Sequence, residues 1–121
     1  MKKIIITFVA LIIGLICRAQ TIDEYYYFKS LSSQNGLSQN TVSAILQDSK
    51  GFMWFGTKDG LDRYDGVSFR HFKYDRTNPR SLGNNFVTSL YEDVEGNIWV
   101  GTDVGVYIYS VSYTHLTLPT T

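Results

Sequence analysis

An all-β fold, a fragment of a β-propeller with about one complete and one incomplete four-stranded antiparallel blade behind a signal-peptide helix, is predicted by three features. One segment returns without a gap 45 residues later, short apolar runs are cut by turn residues at regular intervals, and several of those runs are apolar on both faces.

The first segment stands outside that fold. At 121 residues, with 44% apolar and 15% aromatic side chains, the chain is at most one small domain with a modest core. Its start reads "MKK", then the apolar run "IIITFVALIIGLI" (Ile4 to Ile16), then "CRAQ", a Cys-x-Ala pattern ending at Ala19. Cations, an apolar stretch for the translocon and small residues for a peptidase pocket, in that order, make residues 1–19 a secretory signal whose cleavage leaves Gln20 first. A permanent membrane helix is the weaker reading, because thirteen residues at about 1.5 Å rise reach roughly 20 Å of a hydrocarbon core near 30 Å. A lipid anchor on Cys17 would find Ile16 where lipoprotein signals have a small residue. Without Lys2, Lys3 and Arg18, eleven basic residues become eight against eleven acidic ones, a net charge of −3. That balance carries no basic stripe for nucleic acid, so no nucleic-acid contact is expected, and membrane contact is expected only through the signal. Cys17 is the one cysteine and leaves with the signal, so no disulfide or thiolate metal site is expected.

The repeat supplies the elements in order. "NTVSAILQDSKGFMWFGTKDGLDRY" (Asn40 to Tyr64) returns as "NFVTSLYEDVEGNIWVGTDVGVYIY" (Asn85 to Tyr109) with nine identical positions, among them Asp48/Asp93, Gly51/Gly96, Trp54/Trp99, Gly56/Gly101, Thr57/Thr102 and Gly60/Gly105. A period of about 40–45 residues fits a four-stranded propeller blade. "TVSAILQ" is the first strand. "DSKG" has Asp first and Gly fourth, as a type I turn prefers, and the second copy keeps it as "DVEG". "FMWFGT" and "GLDRY" follow as strands, the Asp65-Gly66 pair signals a hairpin, and "VSFRHF" is the fourth strand. Residues 40–84 thus form one blade, closed by the loop "KYDRTNPRSLGNN", and 85–110 an incomplete one. Phe52 and Trp54 lie on one face of their strand with Met53 and Phe55 on the other, so both faces need a cover, as in blades stacked around a ring. Trp54 and Trp99 read as blade-to-blade packing residues, each burying on the order of 200 Å². Gly56 and Gly101 read as points of close approach.

The lead-in, residues 20–39, resembles the end of the first repeat: "YYYFKSLSSQNGLSQN" aligns with "RHFKYDRTNPRSLGNN" after a one-residue gap. It predicts an outer-type strand over Glu24 to Lys29, donated to close a ring against a last blade. Two repeats cannot close a ring of about 4–8 blades, so the chain reads as truncated. The end "VSYTHLTLPTT" (Val111 to Thr121) breaks the repeat and resembles a sequencing-library adapter read in frame, which makes 111–121 a non-native tail. The alternative is a divergent fourth strand, since Tyr113, His115, Leu116 and Leu118 partly alternate.

Laid out from Leu37 to Tyr109, these units resemble the two-component regulator propeller repeat: Asn-x-Val, a strand, Asp-x-x-Gly, an apolar residue and Trp, Gly-Thr, then Gly-Leu and Tyr. The resemblance implies a periplasmic sensor of a hybrid two-component regulator, exported to the periplasmic face of the inner membrane, binding an oligosaccharide and regulating glycan-utilisation genes. It also implies a parent with a histidine kinase and a homodimeric assembly, whereas this segment itself is no enzyme. The second copy departs from the pattern at "DVGVYIY", where Val104 and Val106 replace an Asp and a Leu. An exported propeller lyase or glycosidase, and a structural interaction propeller, are the alternatives.

No catalytic or metal residue is assigned and no cofactor is expected; ligand contacts are left unassigned. Asp48 to Gly51 and Asp93 to Gly96 are three apart, whereas the sialidase-type Asp-box has two. Asp59, Asp62 and Asp65 lack the distal Glu of a calcium loop and read as solvated turn carboxylates. His71 and His115 read as ordinary surface or edge residues with no metal pair and no Ser-His-Asp set. Tyr25 to Phe28, Phe69 and Tyr74 fit blade packing or sugar stacking.

Overall fold

The computed structural model describes residues 1–16, 24–111 and 115–117, the last three by their backbone. Cys17, the cleavage point after Ala19, Gln20, and Tyr113 and Leu118 of the tail lie outside the described residues. The apolar run forms a helix, α1 (Lys2–Ile16), with no buried residue. Among the described residues no helix is long and apolar enough to cross a membrane.

The two repeats fold as two antiparallel four-stranded sheets of the same design. The first runs β1 (Val42–Gln47), β2 (Met53–Thr57), β3 (Gly60–Tyr64), β4 (Phe69–Phe72), and the second β5 (Val87–Glu92), β6 (Ile98–Thr102), β7 (Val106–Ser110), β8 (His115–Thr117). Sequence neighbours pair throughout, the meander that tight turns dictate. Both copies carry a ladder irregularity at the same place, between Val42 and Ala44 and between Val87 and Ser89. An extra residue there bends the first strand. In the first sheet it turns Ser43 outward, so that its hydroxyl donates to the Val87 carbonyl of the second.

The core lies between the sheets. Register places Leu46, Trp54, Gly56, Leu61 and Phe72 on one face of the first sheet, and that face meets Leu82, Val87, Ile98, Val100 and Tyr109. Trp54 is 1% exposed, stacked on Phe72 at 5.7 Å and tilted against Tyr109 at 5.2 Å. The other face of the first sheet is covered in part by the lead-in loop, where Leu37 is buried and Lys29 reaches the Tyr64 hydroxyl at 3.2 Å.

Three expectations are corrected. Glu24 to Lys29 forms no strand, and Tyr25 to Phe28 are exposed. An outer strand exists only by hydrogen bonding to an inner neighbour, and no described strand lies beside this segment. In the second sheet the short β8 pairs with β7 from Ser110↔His115 to Ile108↔Thr117. Ladder bonds are made by backbone, so a short β-prone stretch adds to a free edge whatever its side-chain pattern. The fourth strand of the first sheet starts at Phe69. Val67 and Ser68 are taken up by the turn, where both their N–H groups donate to Asp65 at 2.8 Å. Finally, Asp62 is no solvated turn carboxylate but fully buried.

Candidate functional site: the seam between the blades

Each repeat motif is a pair of turns held by side chains, one at either end of the sheet. At one end Asp48 begins the turn: its carbonyl accepts from Gly51 N–H at 3.0 Å, and Gly51 takes φ +90°, which glycine adopts without strain. The Asp48 carboxylate accepts from the N–H groups of Lys50 and Phe52, both at 2.9 Å, and from the Trp54 indole N–H at 2.8 Å. The second copy repeats this set: Asp93 accepts from Glu95 and Asn97 N–H at 2.9 Å and from the Trp99 indole at 2.9 Å, with Gly96 at φ +85°. One carboxylate thus closes a hairpin and aims a tryptophan. The indole bond, followed by the backbone bonds from Asn97 and Glu95, holds the Asp93 carboxyl below the usual carboxylate range.

At the opposite end Thr57 Oγ1 donates to the Gly60 carbonyl at 2.8 Å and accepts from Asp59 N–H, and Thr102 Oγ1 donates to the Gly105 carbonyl at 2.9 Å. Gly60 N–H continues across the seam to the Asn85 carbonyl at 2.6 Å. The close approach is at Gly56: a Cβ there would lie 2.6 Å from Val87 Cγ1 and 3.3 Å from Ala44 Cβ. Gly101 instead faces Ser89 of its own sheet. Trp99 occupies the place of Trp54 on the second sheet, but on a face that no described element covers, and it is half-buried. The twelve motif residues therefore do not converge on one pocket.

Asp48, Trp54 and Gly96 do share one cleft. It holds about 230 Å³ where the Asp48 turn meets the second sheet, and Lys50, Phe52, Arg63, Arg70, Ile98 and Tyr109 line it further. The Arg63 guanidinium lies over the Phe52 ring at 4.5 Å and the Trp54 ring at 5.7 Å and reaches Tyr109 Oη at 3.5 Å. Arg70 lies over Phe72 at 5.2 Å.

A second cluster sits under the lead-in loop. Buried Asp62 accepts from Ser38 N–H and Ser38 Oγ, both at 2.6 Å, and pairs with His71 Nδ1 at 2.6 Å. Serine, histidine and aspartate meet here, which the sequence spacing did not suggest. A catalytic triad needs the serine and the carboxylate on opposite ring nitrogens, whereas Ser38 Oγ approaches the same Nδ1, at 3.0 Å, and donates to Asp62. The arrangement fastens a loop. In the second copy Ser38 and Asp62 are replaced by Gly83 and Tyr107, and the Tyr107 hydroxyl fills the space a Cβ on residue 83 would need. Asn40 and Asn85, identical in both copies, each clip the loop before their blade, accepting from Ser33 N–H and Tyr74 N–H at 2.7 Å. Their shared identity in the repeat was the available signal. Among the described residues no group of three or more His, Cys, Asp or Glu is placed to hold a metal.

Residues 36–59 and 81–104 match the family described as "Two component regulator propeller". Over 54 residues, 45% of this chain and 4% of that protein, the sequence is 44% identical to the histidine kinase P4 of Formosa agariphila. Among solved structures, the extracellular domain named as that of hybrid two component system BT3049 from B. thetaiotaomicron overlays on 78% of this chain with a TM-score of 0.69 and 30% identity. That of BT4673, from the same organism, overlays on 58% with a TM-score of 0.54 and 34% identity. The chain spans 13% and 10% of those two domains.

Proposed function

We propose that this chain, which is built of two-component regulator propeller repeats, is the N-terminal part of the ligand-sensing propeller of a hybrid two-component signalling protein. The observation that carries the reading is the overlay, at 30% identity over 78% of the chain, on an extracellular domain of that class. The seam adds to it. Trp54 and Gly56 show how one blade seats the next, and Trp99 repeats that surface on the far side of the second blade.

In this reading residues 1–19 are a cleaved signal, the propeller lies outside the inner membrane and an oligosaccharide is the ligand. The parent acts as a homodimer with a histidine kinase region beyond this segment. Binding, not chemistry, is the work: a ligand with higher affinity for one arrangement of the sensor shifts the kinase equilibrium by that difference. The oligosaccharide follows from the family resemblance of the repeat. A gene deletion tests it. Transcripts for glycan breakdown should rise when oligosaccharides are added to the parent strain and stay flat in the deletion strain; equal induction in both would count against the reading.

A further inference from the structure

We propose that the cleft between the two blades is a binding site for one oxyanionic group, a carboxylate or a sulfate, clamped by Arg63 and Arg70. The inference stands on the cleft alone and does not depend on the sensor reading.

Arg63 and Arg70 are direct cross-strand partners on β3 and β4, so two like charges sit opposite each other on one face. Such pairs are destabilising unless something neutralises them. Among the described residues the ion pairs are His71 with Asp62 and Lys73 with Asp59, so neither arginine meets a carboxylate. The lining holds three cations, Lys50, Arg63 and Arg70, against one carboxylate, Asp48. That carboxylate is already occupied by the indole of Trp54 and the amides of Lys50 and Phe52. Glu92 stands at the edge of the cleft with its carboxylate taken by Ser49 N–H at 2.7 Å, so three cations face two carboxylates that are both already hydrogen-bonded, and the field favours an anion.

Geometry points the same way. The Arg63 guanidinium is held by the Phe52 and Trp54 rings and by Tyr109 Oη, so little freedom remains to be lost on binding. A planar guanidinium presents paired N–H donors that match the two oxygens of a carboxylate or two of a sulfate. A neutral sugar would need an open aromatic face, but Trp54 is 1% exposed and Phe52 lies under the guanidinium. At about 230 Å³ the cleft is below the roughly 300 Å³ at which pockets begin to enclose drug-sized ligands, so it takes a charged group and not a whole oligosaccharide.

The test is a titration of the 121-residue chain, kept in a non-ionic detergent, followed by tryptophan fluorescence. Sodium sulfate, sodium glucuronate and glucose are the probes, with ionic strength held constant by sodium chloride. A saturable change with sulfate, glucuronate or both, and none with glucose, is expected; the tighter of the two anions identifies the group. Arg70 is exposed and touches the core only through its stacking on Phe72, so Arg70→Gln keeps the buried residues in place, and it should weaken binding by about tenfold or more, with Arg70→Lys recovering part of the loss. Arg63→Gln should weaken it as well. Non-saturating responses to both anions, or curves unchanged in Arg70→Gln and Arg63→Gln, would overturn the proposal.

Discussion

At the residue scale the chain is organised by two buried or half-buried aspartate contacts of different kinds. Asp93 is held in its charged form by the Trp99 indole and by backbone N–H groups, so its proton is bound less readily in the folded than in the unfolded chain. A depressed folded value contributes stability above the unfolded carboxyl value of about 3.9 and loses it as pH falls through the lower folded value. The thermal midpoint should therefore drop as acid is added below about pH 4. It should drop less steeply in Asp93→Asn, with Asp65 and Asp75, also depressed, accounting for the remaining slope. An identical slope in the variant would contradict this. Asp62 differs, since it ties Ser38 and His71 together in a space that Gly83 and Tyr107 share out differently in the second copy. Asp62→Tyr alone should destabilise by about 1–3 kcal/mol through overpacking against Ser38. Adding Ser38→Gly should restore most of it in chemical denaturation; additive losses would argue that the two positions are not complementary. The turn role of Asp48 and Asp93 was legible from the spacing to Gly51 and Gly96. Their bonds to Trp54 and Trp99 were not, because only the hairpin register brings residues six apart together. Asp62 was misread for a similar reason: its burial is set by a loop 24 residues upstream.

At the element scale the repeat was read well where backbone geometry follows from local turns. The three inner strands of each copy, the Asp48 turn and the Asp65 turn all lie where Gly and Asp placed them. Edge strands were read poorly, because their existence depends on what lies beside them. The six residues from Glu24 have the pattern of a strand and no described neighbour, whereas His115–Thr117, in a stretch that alternates only in part, has the edge of β7 to join. The seam itself makes a sharp prediction. Gly56→Ala puts a methyl 2.6 Å from Val87 Cγ1, and should cost about 1–3 kcal/mol as the blades are forced apart. Val87→Ala in the same chain should recover part of that loss, a coupling that a double-mutant cycle reads directly. Zero coupling would mean that the sheets do not meet there. The tryptophans should differ too. Trp54→Ala should cost about 3–5 kcal/mol, a full core truncation, and Trp99→Ala distinctly less, since it is only half-buried.

At the scale of the whole molecule, no described element covers one face of the second sheet, with Tyr91 at 64% and Val106 at 45% exposure around half-buried Trp99. By the equivalence of Trp99 with Trp54, that face is shaped to receive a further blade. Residues 20–110 alone should be poorly soluble, with self-association visible by light scattering, and Tyr91→Lys with Val106→Lys should raise the soluble fraction. A segment that stays monomeric by light scattering, with a soluble fraction that the two lysines do not raise, would count against an unmet blade face. The sensor reading itself turns on what the gene encodes after Ser110, so its most direct measurement is the sequence of the source locus past that codon. The account predicts further units of Asp-x-x-Gly-x-x-Trp-x-Gly-Thr at intervals of about 45 residues, then a membrane helix and a histidine kinase region. A native reading frame that stops after Thr121 would contradict it.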